Sequence, residues 1–263
     1  MRRKIKAVVL DLSGTVVDRY ALAPTYAVKN TFAHFGVDIS ISTARGPMGI
    51  AKDRHFNLLL DNDAVKKAWG HIYGSTPKAE MEGKMLFKRF HTEQLDCLEK
   101  YSTVLPKAVE AFEELRSLDV KISATTGFSR DIVNVLRPMM AEQGLEFDYI
   151  VAATDLEWGS RPFPHGLYEC MRKLGVHDVD EVLKVDDSVP GIREGRAAKA
   201  TTCGVSRYSS YMAIESLFHE SQIPFAAMNA RHNESRRTLL DGGADYVVDS
   251  IANIPNLVIE LTS

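Results

Sequence analysis

Two kinds of apolar pattern divide this chain. Short apolar runs rich in β-branched residues recur at 7–10, 120–124, 149–152, 182–185, 201–205 and 246–248. Their length and content are those of strands buried in a parallel sheet. Between most of them, at 107–118, 130–142, 165–174 and 191–198, the apolar residues fall at helical spacing. That alternation predicts an α/β fold, a doubly wound parallel sheet covered by helices on both faces. From residue 20 to about 100 the pattern changes. No convincing strand occurs there, and apolar residues lie on helical faces, as in Tyr26, Ala27, Val28, Phe32 and Phe35, or Met85, Leu86, Phe87 and Phe90. This stretch predicts an all-helical insert broken by turn-forming clusters at 44–49 and 74–77. The expected organisation is a Rossmann-like core of residues 1–19 and 101–263 with a helical cap, residues 20–100, inserted after the first strand and lying over the strand ends.

Composition narrows the class without naming a function. At 263 residues, with 45 % hydrophobic and 25 % charged content, the chain is an ordinary soluble globule. A formal net charge of −3 gives no reason to expect nucleic acid or an anionic membrane as partner. No apolar run approaches the ~18 residues needed to span a bilayer. The basic opening Met1-Arg2-Arg3-Lys4 leads straight into a strand, so a signal peptide is not expected. Cys97, Cys170 and Cys203 are widely spaced and odd in number. They suit a reducing cytoplasm and small core positions.

The candidate chemistry sits at strand ends. The first run closes on Asp11, followed by the turn Ser13-Gly14-Thr15. In an open α/β sheet, ligands gather just beyond the carboxyl ends of the strands. A carboxylate there can act as nucleophile or metal ligand. Thr125-Thr126-Gly127 after the second run offers hydroxyl and N–H groups to phosphoryl oxygens. Arg161 in Gly159-Ser160-Arg161-Pro162 is a fixed cation able to balance phosphoryl charge. Asp186-Asp187 after the fourth run completes, with Asp11, a hard-oxygen site suited to magnesium. Alone, each has a duller role: a plain strand exit, a surface ion pair, a helix-capping acid pair. The argument rests on all four appearing in order, each at its own strand end.

In this order the motifs resemble those of the haloacid dehalogenase-like hydrolase superfamily, matched by Asp11-Leu12-Ser13-Gly14-Thr15, Thr126, Arg161 and Asp186-Asp187. The resemblance implies that Asp11 is a nucleophile forming an aspartyl-phosphate. It implies magnesium held by the Asp11 carboxylate, the Ser13 backbone carbonyl and Asp187, with Thr126 and Arg161 binding the transferring group. Phosphatases of the superfamily usually carry a second acid two residues after the nucleophile. Ser13 stands there, and a serine hydroxyl cannot replace a carboxylic acid as proton donor.

The insert supplies a further candidate. Pro47-Met48-Gly49-Ile50-Ala51-Lys52-Asp53-Arg54-His55 is expected at the opening of a helix running through Leu60, with Lys52 and His55 on one face. A desolvated amine beside an imidazole is a candidate imine former; the plainer role is a solvated lysine on an exposed helix. This segment resembles the lysine motif of the phosphonoacetaldehyde hydrolase (phosphonatase) family. The likeness extends through Ala23-Pro24, Arg45 to Met48, Gly127, Arg161-Pro162-Phe163-Pro164 and Lys184-Val185-Asp186-Asp187. It implies hydrolysis of phosphonoacetaldehyde to acetaldehyde and phosphate, with Lys52 forming the Schiff base and Met48 and His55 supporting it. It also implies a homodimer joined through the cap. Departures from the family pattern are Phe128 where a tyrosine is common, Ala21 where a cysteine can occur, and Gly191 where a later acid often follows the metal aspartate. Asp186 is then expected to supply part of that acid's role, and residues 206–237 match less well. Competing functions are a magnesium-dependent phosphatase of small esters, a halocarboxylate dehalogenase with no use for the Asp186-Asp187 pair, and a non-catalytic binding protein of the same fold.

Overall fold

The computed structural model describes residues 4–263, so the basic opening residues 1–3 lie outside the described part of the chain. Six strands form one sheet: β1 Ala7–Leu10, β2 Lys121–Thr125, β3 Tyr149–Val151, β4 Val182–Asp186, β5 Thr201–Val205 and β6 Tyr246–Val248. Every pairing is parallel, and the spatial order is β3-β2-β1-β4-β5-β6. That is the doubly wound order, with the winding direction reversing between β1 and β4. The six apolar runs in the sequence correspond to these six strands.

Strand β1 is buried throughout, and its alternating side chains enter two different cores. Val8 and Leu10 face a cluster with Phe112, Leu115, Ile132 and Leu136, from α6 Ala108–Ser117 and α7 Arg130–Ala141. Ala7 and Val9 face Leu167, Cys170 and Leu174 of α8 His165–Leu174, together with Ala198 of α9 Val189–Ala198. This two-faced burial explains why the strand sequence does not alternate with polar residues. After β5 come α10 Leu217–Gln222, α11 Phe225–Asp241, which packs on β5 and β6, and α12 Ile254–Thr262, which packs on α6.

Between β1 and β2 lie α1 Leu22–His34, α2 Ile41–Arg45, α3 Lys52–Asp61, α4 Asp63–Tyr73 and α5 Ala79–Tyr101. They enclose a core of their own in which Phe32, Phe56 and Phe90 meet ring against ring, at centroid distances of 6.0 Å and 5.3 Å. Each such buried side chain contributes roughly 1.5–3 kcal/mol. Local signals set the breaks. The Asn62 side chain accepts from the Ala64 and Val65 N–H groups to open α4, and Gly74, at φ 66°, closes it. One expected boundary moves. The helix foreseen from Pro47 begins at Lys52, because Gly49 is at φ +92° and the Met48 N–H closes a turn on the Arg45 carbonyl. Lys52 and His55 still share a face. Among the described residues no helix is long and apolar enough to cross a membrane.

Candidate active site

The site lies where the winding reverses. Asp11 follows β1, and its N–H donates to the Val185 carbonyl of β4 at 2.9 Å, so the ends of β1 and β4 are locked side by side. Asp186 closes β4 and Asp187 follows it. Carboxylate oxygens of Asp11, Asp186 and Asp187 fall within 4.8 Å of one another, and all three residues are buried. Gly14 keeps the turn after β1 close to them. A methyl group at 14 would approach the Asp187 carboxylate to 2.5 Å, and φ +83° suits glycine.

Arg161 reaches into this cluster from the loop before α8 and is 5 % exposed. It lies 2.8 Å from Asp11 Oδ1, 3.1 Å from Asp186 Oδ2 and 3.1 Å from Glu194 Oε2. It also donates to the Thr125 carbonyl and, at 3.0 Å, to the Thr125 hydroxyl. Lys184, fully buried in β4, lies 3.1 Å from Asp186 and 3.3 Å from Glu194 and donates to the Thr125 hydroxyl at 2.8 Å. Thr126 follows β2, and its hydroxyl accepts from the Phe128 N–H at 3.2 Å.

The acids outnumber the cations. Asp11, Asp186, Asp187 and Glu194 bring four carboxylates, against which stand Arg161 and Lys184 within the cluster and Lys52 facing Asp11 across the cavity. Burial, reinforced by the Asp11 and Asp186 charges, pushes the Asp187 carboxyl well above its ordinary range. Burial also raises Asp11 to about 6, although Arg161 opposes it. At Asp186 burial acts upward too, but Arg161 and Lys184 prevail and hold it below its ordinary value. A divalent cation between Asp11 and Asp187 would relieve the repulsion, and an all-oxygen donor set fits a hard metal ion. Asp186 is occupied by the two basic side chains, which makes it a support for Arg161.

Lys52, the first residue of α3, is 7 % exposed and lines the same small cavity as Asp11, Thr126, Arg161 and Asp187. Its amine lies 3.3 Å from Met48 Sδ and 3.5 Å from His55 Nδ1. His55 Nε2 meets the Ala44 carbonyl at 2.9 Å. A carbonyl only accepts, so Nε2 carries the proton and Nδ1 presents its lone pair to the amine. Burial, aided by the neighbouring Lys52, lowers His55 well below the usual imidazole range and keeps it neutral. Burial likewise lowers Lys52 to about 8, with Arg161 assisting and Asp11 opposing.

The chain matches the haloacid dehalogenase-like hydrolase family over residues 5–199. A phosphonoacetaldehyde hydrolase of Paraburkholderia xenovorans is 35 % identical over 262 residues, covering 98 % of this chain and 96 % of that one. Another, from Bacillus cytotoxicus, is 30 % identical over 97 % of this chain and 96 % of its own. The chain belongs to the haloacid dehalogenase-like hydrolases, in the phosphonoacetaldehyde hydrolase family. It is therefore an enzyme and a hydrolase. Among solved structures, a phosphonoacetaldehyde hydrolase-like protein from Oleispira antarctica superposes with a TM-score of 0.94 at 29 % identity, covering 99 % of this chain and 94 % of that one.

Several parts of this hydrolase's site escaped the sequence. Glu194 sits on α9, where an acid is by default a solvated surface residue, yet it is 1 % exposed and grips Arg161. Gly166 is the one local sign of this, since a methyl group there would come within 2.6 Å of the Glu194 carboxylate. In the weakly matching segment, the Ser209 hydroxyl donates to the Asp187 carbonyl at 2.7 Å and the Ser210 N–H to its carboxylate at 3.3 Å. The Ser13 hydroxyl turns away from the acids and donates to Asp18 at 3.0 Å, while Asp18 accepts from the Leu22 and Ala23 N–H groups at the start of α1. Gly191 and Asp186 are complementary. The Asp186 carboxylate fills the space that any side chain at 191 would need. Gly191→Ala is therefore expected to lower stability by about 1–3 kcal/mol through overpacking, read by chemical denaturation. Adding Asp186→Gly should remove the steric part of that loss.

Proposed function

We propose that this hydrolase cleaves the C–P bond of phosphonoacetaldehyde, giving acetaldehyde and phosphate. One observation carries the reading: a buried, pKa-lowered amine, held between a thioether and a neutral imidazole, opens into the cavity that contains the first-strand carboxylate. The substrate phosphonate takes up the Arg161 guanidinium and the Thr126-Gly127 turn, and the aldehyde carbon meets the Lys52 amine. Nζ bonds to that carbon, His55 Nδ1 relays a proton from the nitrogen to the carbinolamine oxygen, and that oxygen, taking one further proton from solvent, leaves as water to give an iminium. An Asp11 oxygen then attacks phosphorus. The P–C electron pair moves into the carbon skeleton, which becomes an enamine, and Asp11 carries the phosphoryl group. Water hydrolyses the acyl phosphate and restores Asp11. The enamine takes a proton on carbon, and a second water frees acetaldehyde and Lys52. Magnesium held by Asp11, Asp187 and the Ser13 carbonyl would supply charge neutralisation between carboxylate and phosphoryl oxygens.

Ser13 favours this reading over a phosphate-ester phosphatase. An ester needs its leaving alkoxide protonated, and Ser13 is both too weak an acid and engaged with Asp18. The enamine needs no such donor. The test is phosphate and acetaldehyde release from phosphonoacetaldehyde with magnesium, alongside a panel of small phosphate esters. Efficient ester hydrolysis with an inert phosphonate would refute the proposal.

The lowered lysine pKa sets a pH profile. With Lys52 near 8, roughly one amine in ten is neutral at pH 7, against fewer than one in a thousand for an unperturbed lysine. The acidic limb of kcat/KM for phosphonoacetaldehyde is expected to rise about tenfold per pH unit and level off near pH 8. A limb still rising above pH 10 would show an ordinary solvated amine.

A further inference from the structure

A second cavity, about 690 Å³, adjoins the first between α5 and the loops that follow β2 and β3. It is an order of magnitude larger than the roughly 40 Å³ left open beside Asp11. Lys52 and Gly127 line both, so the amine stands on their shared wall. Nothing in the two-carbon reaction uses the larger space.

Three of its lining residues carry a buried polar atom without a hydrogen-bond partner; one of them, His91, faces the Asp131 carboxylate at 3.6 Å, which leaves Gln94 and Ser129. Gln94, from α5, is 1 % exposed, and its Nε2 is buried without a hydrogen-bond partner. Ser129 occupies the N-cap position of α7, yet its hydroxyl caps nothing and is also buried without a partner. A serine at an N-cap ordinarily accepts from the first turn. A buried polar group left unpaired is unfavourable, and a ligand oxygen in hydrogen-bond reach of either side chain would relieve that. Phe90 and Leu156 supply apolar walls around them.

The carbon that bonds to Lys52 carries two other substituents. The phosphonomethyl group points to Asp11; the remaining one, a hydrogen in an aldehyde, faces away from it. We infer that the larger cavity is a subsite for an oxygen-bearing substituent at that position, so that the enzyme also cleaves hydroxylated 2-oxoalkylphosphonates, of which 3-hydroxy-2-oxopropylphosphonate is the smallest. The inference rests on the imine reading above. The bond changes balance in the same way: Nζ replaces the ketone oxygen with loss of water, the Asp11–P bond forms as P–C breaks, and the released pair makes the enamine. One water then frees phosphate and another frees hydroxyacetone.

The experiment compares phosphate release by the full chain with magnesium from phosphonoacetaldehyde, 2-oxopropylphosphonate and 3-hydroxy-2-oxopropylphosphonate. A hydrogen bond worth about 1.4 kcal/mol corresponds to tenfold. The hydroxylated ketone is expected to exceed the methyl ketone at least about tenfold in kcat/KM. Gln94→Leu, close in volume, and Ser129→Ala should each bring that ratio toward one while leaving phosphonoacetaldehyde turnover within about twofold. Equal turnover of the two ketones, or no turnover of either beside an active aldehyde, overturns the subsite alone. So does an equal loss on all three substrates in both variants, which marks a structural role. An inert aldehyde overturns the imine reading and the subsite with it.

Discussion

Lys52→Arg is expected to reduce phosphonoacetaldehyde cleavage by on the order of 10⁴-fold, the scale for losing a residue that works as one unit with its neighbours. Arginine keeps the positive charge near Asp11 and Arg161 but cannot form an imine. Charge attraction and covalent activation are thereby separated. Without the iminium, P–C cleavage would leave an unstabilised carbanion, and nothing else in the cavity accepts that electron pair. Borohydride with substrate should reduce a covalent adduct onto Lys52 in the parent protein and none in the variant. Because the residue is 7 % exposed, the larger guanidinium also brings crowding. Lys52→Met, nearer in volume, gives the same test without it, and both variants should melt as cooperatively as the parent. Full turnover in either would end the Schiff-base mechanism.

The second large effect concerns stability. Lys184→Met is expected to destabilise the protein by about 3–5 kcal/mol, the range for breaking a buried ion pair from one side. Lys184 has no exposed surface and stands between Asp186 and Glu194, also buried. Removing it leaves Arg161 as the one cation in contact with both carboxylates among the described residues, with only the neutral donors Thr125 and Ser188 beside it. For a chain of this size the melting temperature should fall by about 10 °C. Lys184→Met with Glu194→Gln should be milder than the single change, because the uncompensated acid goes too. Activity should fall with the single change as well, since Arg161 is held in place by Glu194, Asp186 and Thr125. An unchanged melting temperature would show that water or a cation replaces the lysine at no cost.

Much of this was legible in the residues. Six apolar runs marked six strands because a strand buried on both faces needs no polar alternation, and the acids at the ends of β1 and β4 stood out against them. Lys52 with Met48 and His55 was legible from one motif, although the start of α3 was not. Gly49 adopts a left-handed conformation, and helical periodicity carries no information about that. Pairings distant in sequence stayed hidden. Glu194 looked like any acid on an amphipathic helix, Ser209 and Ser210 like any loop serines, and Gly191 like a missing ligand. Its meaning is volume: the Asp186 carboxylate sits where a side chain would have been.

Gly49 also bears on how the reaction is timed. It comes so close to Ser188 and Pro190 that a methyl group there would lie 2.8 Å from the serine hydroxyl, and one at Gly127 would lie 3.3 Å from the Ile50 carbonyl. Lys52 thus follows one side of a tight glycine seam and Asp11 lies on the other. On the mechanism proposed above, loosening that seam would draw the Lys52 amine away from Asp11 as it lets water in, so loss of the reactive geometry and entry of solvent would be a single event.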